Sequence, residues 1–140
     1  MVDRDTLSSR LSALENYLTE IRSFRARSRD EFVREPALHH LAERYLQLAC
    51  ECVLDITHHL IADQGYRLPA SYKDAMEVLR DEGLLEPDLC ERLKRWMGFR
   101  NILSHFYMEI DHGRSFDAIQ DDLGDLEEFG RSMGRLLAKS

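Results

Sequence analysis

Apolar positions recur along the chain with a helical period. Leu7, Leu11, Leu14, Leu18 and Ile21 alternate at spacings of four and three, the stripe of an amphipathic helix, with Asp5 or Thr6 as its expected N-cap. Arg25 to Arg34 lacks that periodicity and reads as a basic connection. Pro36 sits where a helix start tolerates it, and from Ala37 to Ala62 a second stripe runs through Leu38, Leu41, Tyr45, Leu48, Cys52, Ile56 and Leu60. Further apolar residues widen this stripe, which places the helix at the centre of the domain. Asp63 to Pro69 reads as a loop with Gly65 as the helix stop. Ser71, with Asp74 three residues on, caps a short helix carrying Ala75, Met76 and Leu79 and ending at Gly83. Pro87 opens a long helix reaching about Ile110. Asp111-His112-Gly113 is a turn, Ser115 an N-cap, and Ile119, Leu123, Leu126, Phe129, Met133 and Leu137 form the last stripe. No strand pattern, repeat or linker interrupts this order. The prediction is an all-α, single-domain, up-and-down bundle of five helices spanning residues 1–140.

Composition narrows the class. The chain has 140 residues, 44% hydrophobic and 32% charged, which excludes a disordered or low-complexity protein. No run approaches the length of a membrane span, and the first residues lack the apolar core of a signal peptide, so a soluble, cytoplasmic protein is expected. Three cysteines, Cys50, Cys52 and Cys90, stand in no zinc spacing and are expected as reduced thiols. His58 and His59 follow Asp55 at helical spacing, but polar residues near a helix end explain them better than a metal site does. His39 and His40 have no identifiable partner and read as surface and helix-start residues.

The net charge of −7 argues against bulk attraction to nucleic acid. The charge is unevenly spread, however. Arg22 to Arg34 holds five arginines against Asp30 and Glu31, and Glu91 to Arg100 holds four cations against one acid. Glu109 to Glu128 holds eight acids against Arg114. A local anionic ligand stays open, although solvated helix faces are the favoured explanation of the runs on charge alone.

The chemistry concentrates in Phe99-Arg100-Asn101-Ile102-Leu103-Ser104-His105-Phe106-Tyr107. At about 100° per residue, Phe99, Ile102, Leu103, Phe106 and Ile110 share one apolar arc. Tyr107, Arg100, Ser104, Asn101 and His105 then occupy the arc facing away from the helix's own core, with Tyr107 beside Arg100. Arginine offers a permanently charged fork to phosphate oxygens, and histidine titrates near neutrality and can take a proton from a ribose hydroxyl. Asn101 is spaced to orient the imidazole or hold a nucleic-acid backbone. Gly98 falls beside His105, and a glycine inside a helix implies a close neighbour.

Arg100-Asn101, then His105 after a four-residue gap and Tyr107 two further on, resembles the R-x4-H-x-Y motif of HepT-like proteins in the HEPN superfamily. Leu46 to Ile56 resembles the family's central helix with its acids four apart (Glu51 and Asp55), and Leu68-Pro69-Ala70-Ser71-Tyr72 its loop into the next helix. Phe106 departs from the small acidic or polar residue frequent between the motif's His and Tyr. The resemblance implies a HEPN-like, homodimeric ribonuclease toxin that uses neither metal nor cofactor, with the motifs of two subunits meeting in a cleft. By position, Arg100 and His105 would be catalytic and Asn101 supporting. His105 would deprotonate the 2′-hydroxyl of RNA and Arg100 would stabilise the phosphoryl oxygens, leaving a 2′,3′-cyclic phosphate. The implied partner is an MntA-like nucleotidyltransferase antitoxin that adenylylates Tyr107.

Other residues admit two readings. Glu51 and Asp55 share a face and could line a dimer interface or hold Arg100. Trp96 could stack on a base, but an interface role is preferred. The arginines at 22, 25, 27 and 29 could guide RNA or dock the acidic helix of another subunit. A different class of function is also open: a non-catalytic subunit that presents substrate to a nucleotidyltransferase.

Overall fold

The computed structural model describes residues 3–139; Met1, Val2 and Ser140, at the ends of the predicted domain, lie outside the described residues. Among these, every regular element is helical: α1 (Arg4–Arg22), α2 (Arg29–Arg34), α3 (Pro36–Gln64), α4 (Tyr72–Asp81), α5 (Pro87–His105), α6 (His112–Asp117) and α7 (Leu123–Lys139). A π-helical turn over Ala118–Asp122 joins α6 to α7, so the last two run on as one interrupted helix.

Local sequence explains most boundaries. Pro36 and Pro87 each sit in the first turn of their helices. Gly65 ends α3 in the left-handed region at φ 67°, a conformation that costs other residues steric strain, and Tyr66 N–H donates back to the Ile61 carbonyl at 3.0 Å. Ser71 accepts from Asp74 N–H as the α4 cap. Two caps differ from expectation. Asp3, rather than Asp5 or Thr6, caps α1 by accepting from Thr6 N–H. Asp111, rather than Ser115, caps α6 by accepting from the Gly113 and Arg114 N–H groups, so Asp111-His112-Gly113 begins a helix instead of making a free turn. In both cases a carboxylate earlier in the chain reaches the exposed N–H groups first.

α1 runs antiparallel to α3 and α7, and α5 antiparallel to α3, α4 and α7. Asp3 N–H donates to Asp63, tying the start of α1 to the end of α3. Arg22 pairs with Glu127 at 2.7 Å, and Arg4 donates to the Leu137 carbonyl at 2.7 Å, so α7 runs back along α1. Lys94 pairs with Glu77 at 2.8 Å between α4 and α5. On the other side of α5, Arg92 pairs with Asp125 at 2.7 Å and Glu128 at 3.1 Å on α7. One continuous core fills the centre, with Leu14, Leu18, Ile21, Leu46, Ile56, Leu79, Leu93 and Phe129 inaccessible to solvent or nearly so.

Two sequence expectations change here. The segment read as a basic connection folds into a 3-10 turn (Ser23–Ala26) and α2, because Phe24 and Phe32 are buried. Phe32 packs against Phe24, His39 and Phe116. Its arginines meet the acidic run of their own chain: Arg22 pairs with Glu127 and Arg29 with Asp117, while Arg25 donates to the Ile119 carbonyl in the π-helical turn. That turn leaves backbone carbonyls outside the regular helix ladder, and an arginine satisfies one of them. Trp96 is buried inside the chain, its indole N–H donating to Asp125 at 3.0 Å, so its contacts lie within its own chain rather than on an open face.

Phe32→Ala should lower stability by about 3–5 kcal/mol, read as a lower urea midpoint with unchanged slope. A loss below about 1 kcal/mol would mean that residues 23–34 are held by their charges rather than by the core.

Candidate functional site

α5 lies antiparallel to α3, and polar contacts between them fall in step along both helices. Arg100 Nε donates to Glu51 Oε1 at 2.5 Å, and one turn on, Gln47 donates to Ser104 Oγ at 2.9 Å. Beyond that, Tyr107 and Leu103 line a groove with His40, Glu43, Arg44 and Gln47.

Arg100 is only 9% exposed, contrary to its expected place on the outer arc. The arginine lies where α5 crosses α3 and α4, and three contacts allow its charge to be buried. Glu51 pairs with it, Asn101 Oδ1 accepts from its Nη1 at 3.2 Å, and its guanidinium lies over the Tyr72 ring, 4.9 Å from the centroid. Asn101 therefore braces Arg100 rather than an imidazole. Glu51, which the sequence offered as one of two readings, is the residue that holds Arg100. Asp55 pairs with Arg10 of α1 instead. Glu51 and Tyr72 also line a cleft of about 320 Å³, together with Tyr17, Cys52, Asp55 and His58, so the arginine's cradle borders open space.

α5 ends at His105, not near Ile110. Phe106, at φ −122° and ψ 41°, leaves the helix, and Tyr107–Glu109 form a 3-10 turn. The arc that placed Tyr107 beside Arg100 and Phe106 in the core therefore stops at His105. Phe106 is exposed, and Tyr107, 69% exposed, faces the groove against the first half of α3. His105 is exposed in the last turn of α5 and makes no hydrogen bond among the described residues, so its ring is available to solvent. Gly98 has the Lys73 side chain as its close neighbour, where an added Cβ would meet Lys73 Cε and Nζ at 3.4 Å.

A polar cluster beside this site was not legible in the sequence. Glu43 of α3 is buried between α3 and α6, where its Oε2 takes His112 Nδ1 and Ser115 Oγ, each at 2.7 Å. His112 stacks on the buried His39 at 3.6 Å between ring centroids, and His39 Nδ1 lies 3.1 Å from the Phe32 carbonyl. His40 meets His39 edge-on at 4.4 Å. The pair read as partnerless is thus the centre of a contact between α3 and α6, which lie far apart in sequence. No spacing within the chain announces that contact.

His58 lies against Tyr72, with ring centroids 5.8 Å apart. Burial pushes the Cys50 thiol up to about 12 and Cys52 to about 11, and raises Cys90 as well, so all three are poor nucleophiles in the folded protein. Among the described residues no helix is long and apolar enough to cross a membrane.

Comparison with known proteins identifies the family and the fold. Residues 14–133 match the family described as Ribonuclease HepT-like. The chain is 33% identical over 84 residues to the mRNA nuclease HepT of Shewanella oneidensis, a match covering 60% of this chain and 63% of that one. It is 27% identical over 113 residues to the tRNA nuclease HepT of Aphanizomenon flos-aquae, covering 81% and 77% respectively. Its fold superposes with a TM-score of 0.85, at 24% identity over 96% of this chain and 99% of the other, on a tri-AMPylated HEPN toxin of Shewanella oneidensis solved in complex with an MNT antitoxin. With residues 14–133 matched by the family's model, the chain belongs to the HepT-like ribonuclease family.

Proposed function

We propose that this protein is the toxin of a toxin–antitoxin pair, a metal-independent endoribonuclease acting through Arg100 and His105. The observation that carries the reading is the contrast between these two side chains in the last two turns of α5. One side chain is a guanidinium fixed by Glu51, Asn101 and Tyr72; the other is an imidazole left exposed one turn on. The relatives that are nucleases of mRNA and tRNA support RNA as the substrate.

His105 takes the proton from a ribose 2′-hydroxyl, whose oxygen attacks the adjacent phosphorus as the bond to the 5′-oxygen breaks. The leaving 5′-oxygen takes up a proton, and a 2′,3′-cyclic phosphate remains. Arg100 stabilises the charge that develops on the non-bridging oxygens. Because its guanidinium is already ordered, little reorganisation accompanies the reaction. Asn101 supports Arg100. Phe106, Tyr107 and Met108 form three consecutive exposed apolar residues beside His105, which supports a homodimer with two such sites in one cleft. The partner is an MntA-like nucleotidyltransferase, which modifies Tyr107. The tyrosine oxygen attacks the α-phosphorus of ATP, pyrophosphate leaves, and the phenol proton passes to solvent. The AMPylated state of the Shewanella toxin supports this step.

Cleavage of single-stranded RNA in EDTA should yield 2′,3′-cyclic phosphate ends, and His105→Ala should slow it at least about 100-fold without changing the thermal midpoint. A magnesium requirement or 5′-phosphate products would overturn the mechanism. Absence of cleavage by protein whose intact mass shows no AMP would favour a non-catalytic partner subunit.

Tyr107→Phe should cleave RNA at close to the wild-type rate and resist inactivation by ATP and the transferase, checked by intact mass and residual activity. Inactivation of that variant by AMP transfer would place the modification elsewhere.

A further inference from the structure

Tyr107 overlooks a groove of about 160 Å³ separate from the Arg100 cradle. Its floor holds an unusual group. Glu43 is 4% exposed, and while its Oε2 is satisfied by His112 and Ser115, its Oε1 has no hydrogen-bond partner. His40 Nδ1 lies 3.9 Å from this oxygen, beyond hydrogen-bond reach. A buried carboxylate oxygen left unpaired costs free energy unless something donates to it. At the rim stands Arg44, exposed, bonded to Gln47 at 3.2 Å and paired with no carboxylate among the described residues. His40 offers an exposed ring, Leu103 an apolar wall, and Tyr107 a phenol that makes no hydrogen bond among the described residues.

An anion-binding fork, a ring for stacking, an apolar wall and a buried acceptor together match one chemical class, a nucleoside 5′-monophosphate. We infer that this groove seats the adenylate carried by Tyr107, an inference that rests on Tyr107 being the modified residue. The new ester joins Tyr107 Oη to the α-phosphorus, so the phosphate is fixed at the groove mouth. Arg44 binds its oxygens, the base lies against His40 and Leu103, and a nucleoside N–H or O–H donates to Glu43 Oε1.

The location changes how modification would silence the protein. Arg44 and Glu51 are seven residues apart on α3, two turns or about 10 Å. The adenylate therefore leaves the Glu51–Arg100 pair intact. It is pinned over the approach to His105, and it obstructs RNA rather than neutralising the arginine.

The test begins with protein adenylylated by ATP and an MNT-type transferase, with peptide mapping to locate the AMP. Release of AMP by a phosphodiesterase is then timed for the wild type, Arg44→Ala and His40→Ala. Both substituted side chains are exposed, so the fold should survive. A seated adenylate is shielded, and Arg44→Ala should release it about tenfold faster, the change expected when a charge-assisted bond to phosphate is lost. The phosphorus resonance of the tyrosyl ester should also move in that variant. Equal release rates and an unmoved resonance, with AMP mapped to Tyr107, overturn the groove while leaving the modification intact. AMP mapped elsewhere overturns the modification of Tyr107, and the seat with it.

Discussion

The ion pair between Glu51 and Arg100 is the constraint on which the rest of the site depends. A guanidinium that is almost wholly buried requires a compensating charge, and Glu51 of the central helix supplies it. Meeting that requirement fixes the rotation of α5 against α3. Gln47 then meets Ser104 one turn on, and α5 ends with His105 exposed. The same pairing leaves the far end of Arg100, braced by Asn101 and Tyr72, beside an open cleft. The packing of α5 and the ordering of its arginine therefore rest on one interaction, and an exposed arginine at the same position would present its charge far less rigidly.

A second buried carboxylate, Glu43, performs a comparable task for the turn that follows. It binds His112 and Ser115 and thereby sets α6 against α3. The six residues from Phe106 to Asp111, Tyr107 among them, are suspended between these two anchors. Arginines from the first quarter of the chain close the far side by pairing with acids of α6 and α7. The net charge of the protein thus says little about any one face, because the opposed runs largely neutralise each other inside the monomer.

Much of this was legible in the sequence, and the limits have physical causes. Apolar stripes, Pro36, Pro87, Gly65 and the Ser71 cap are local signals, and each marks a real boundary. Arg100, Asn101, His105 and Tyr107 were recognisable as one motif for the same reason. A helical wheel, however, assumes that the helix continues. The end of α5 at His105 has no glycine or proline to announce it, so Tyr107 was placed beside Arg100. Burial of Arg100, the cluster of His39, His40 and His112, and the enclosed Trp96 all depend on residues distant in sequence. Arg25 to Arg34 misled because one buried phenylalanine, Phe32, is too little to reveal a period.

Chemical rescue tests the central claim most directly. Arg100→Ala leaves a gap beside Glu51 that a free guanidinium ion matches in shape and charge. The account predicts that guanidinium, at concentrations too low to unfold the protein, raises RNA cleavage by this variant at least about tenfold and saturably, that urea does not, and that Glu51→Gln in the same chain abolishes the effect. Failure of guanidinium to stimulate the folded variant, or equal stimulation without the Glu51 carboxylate, would contradict it.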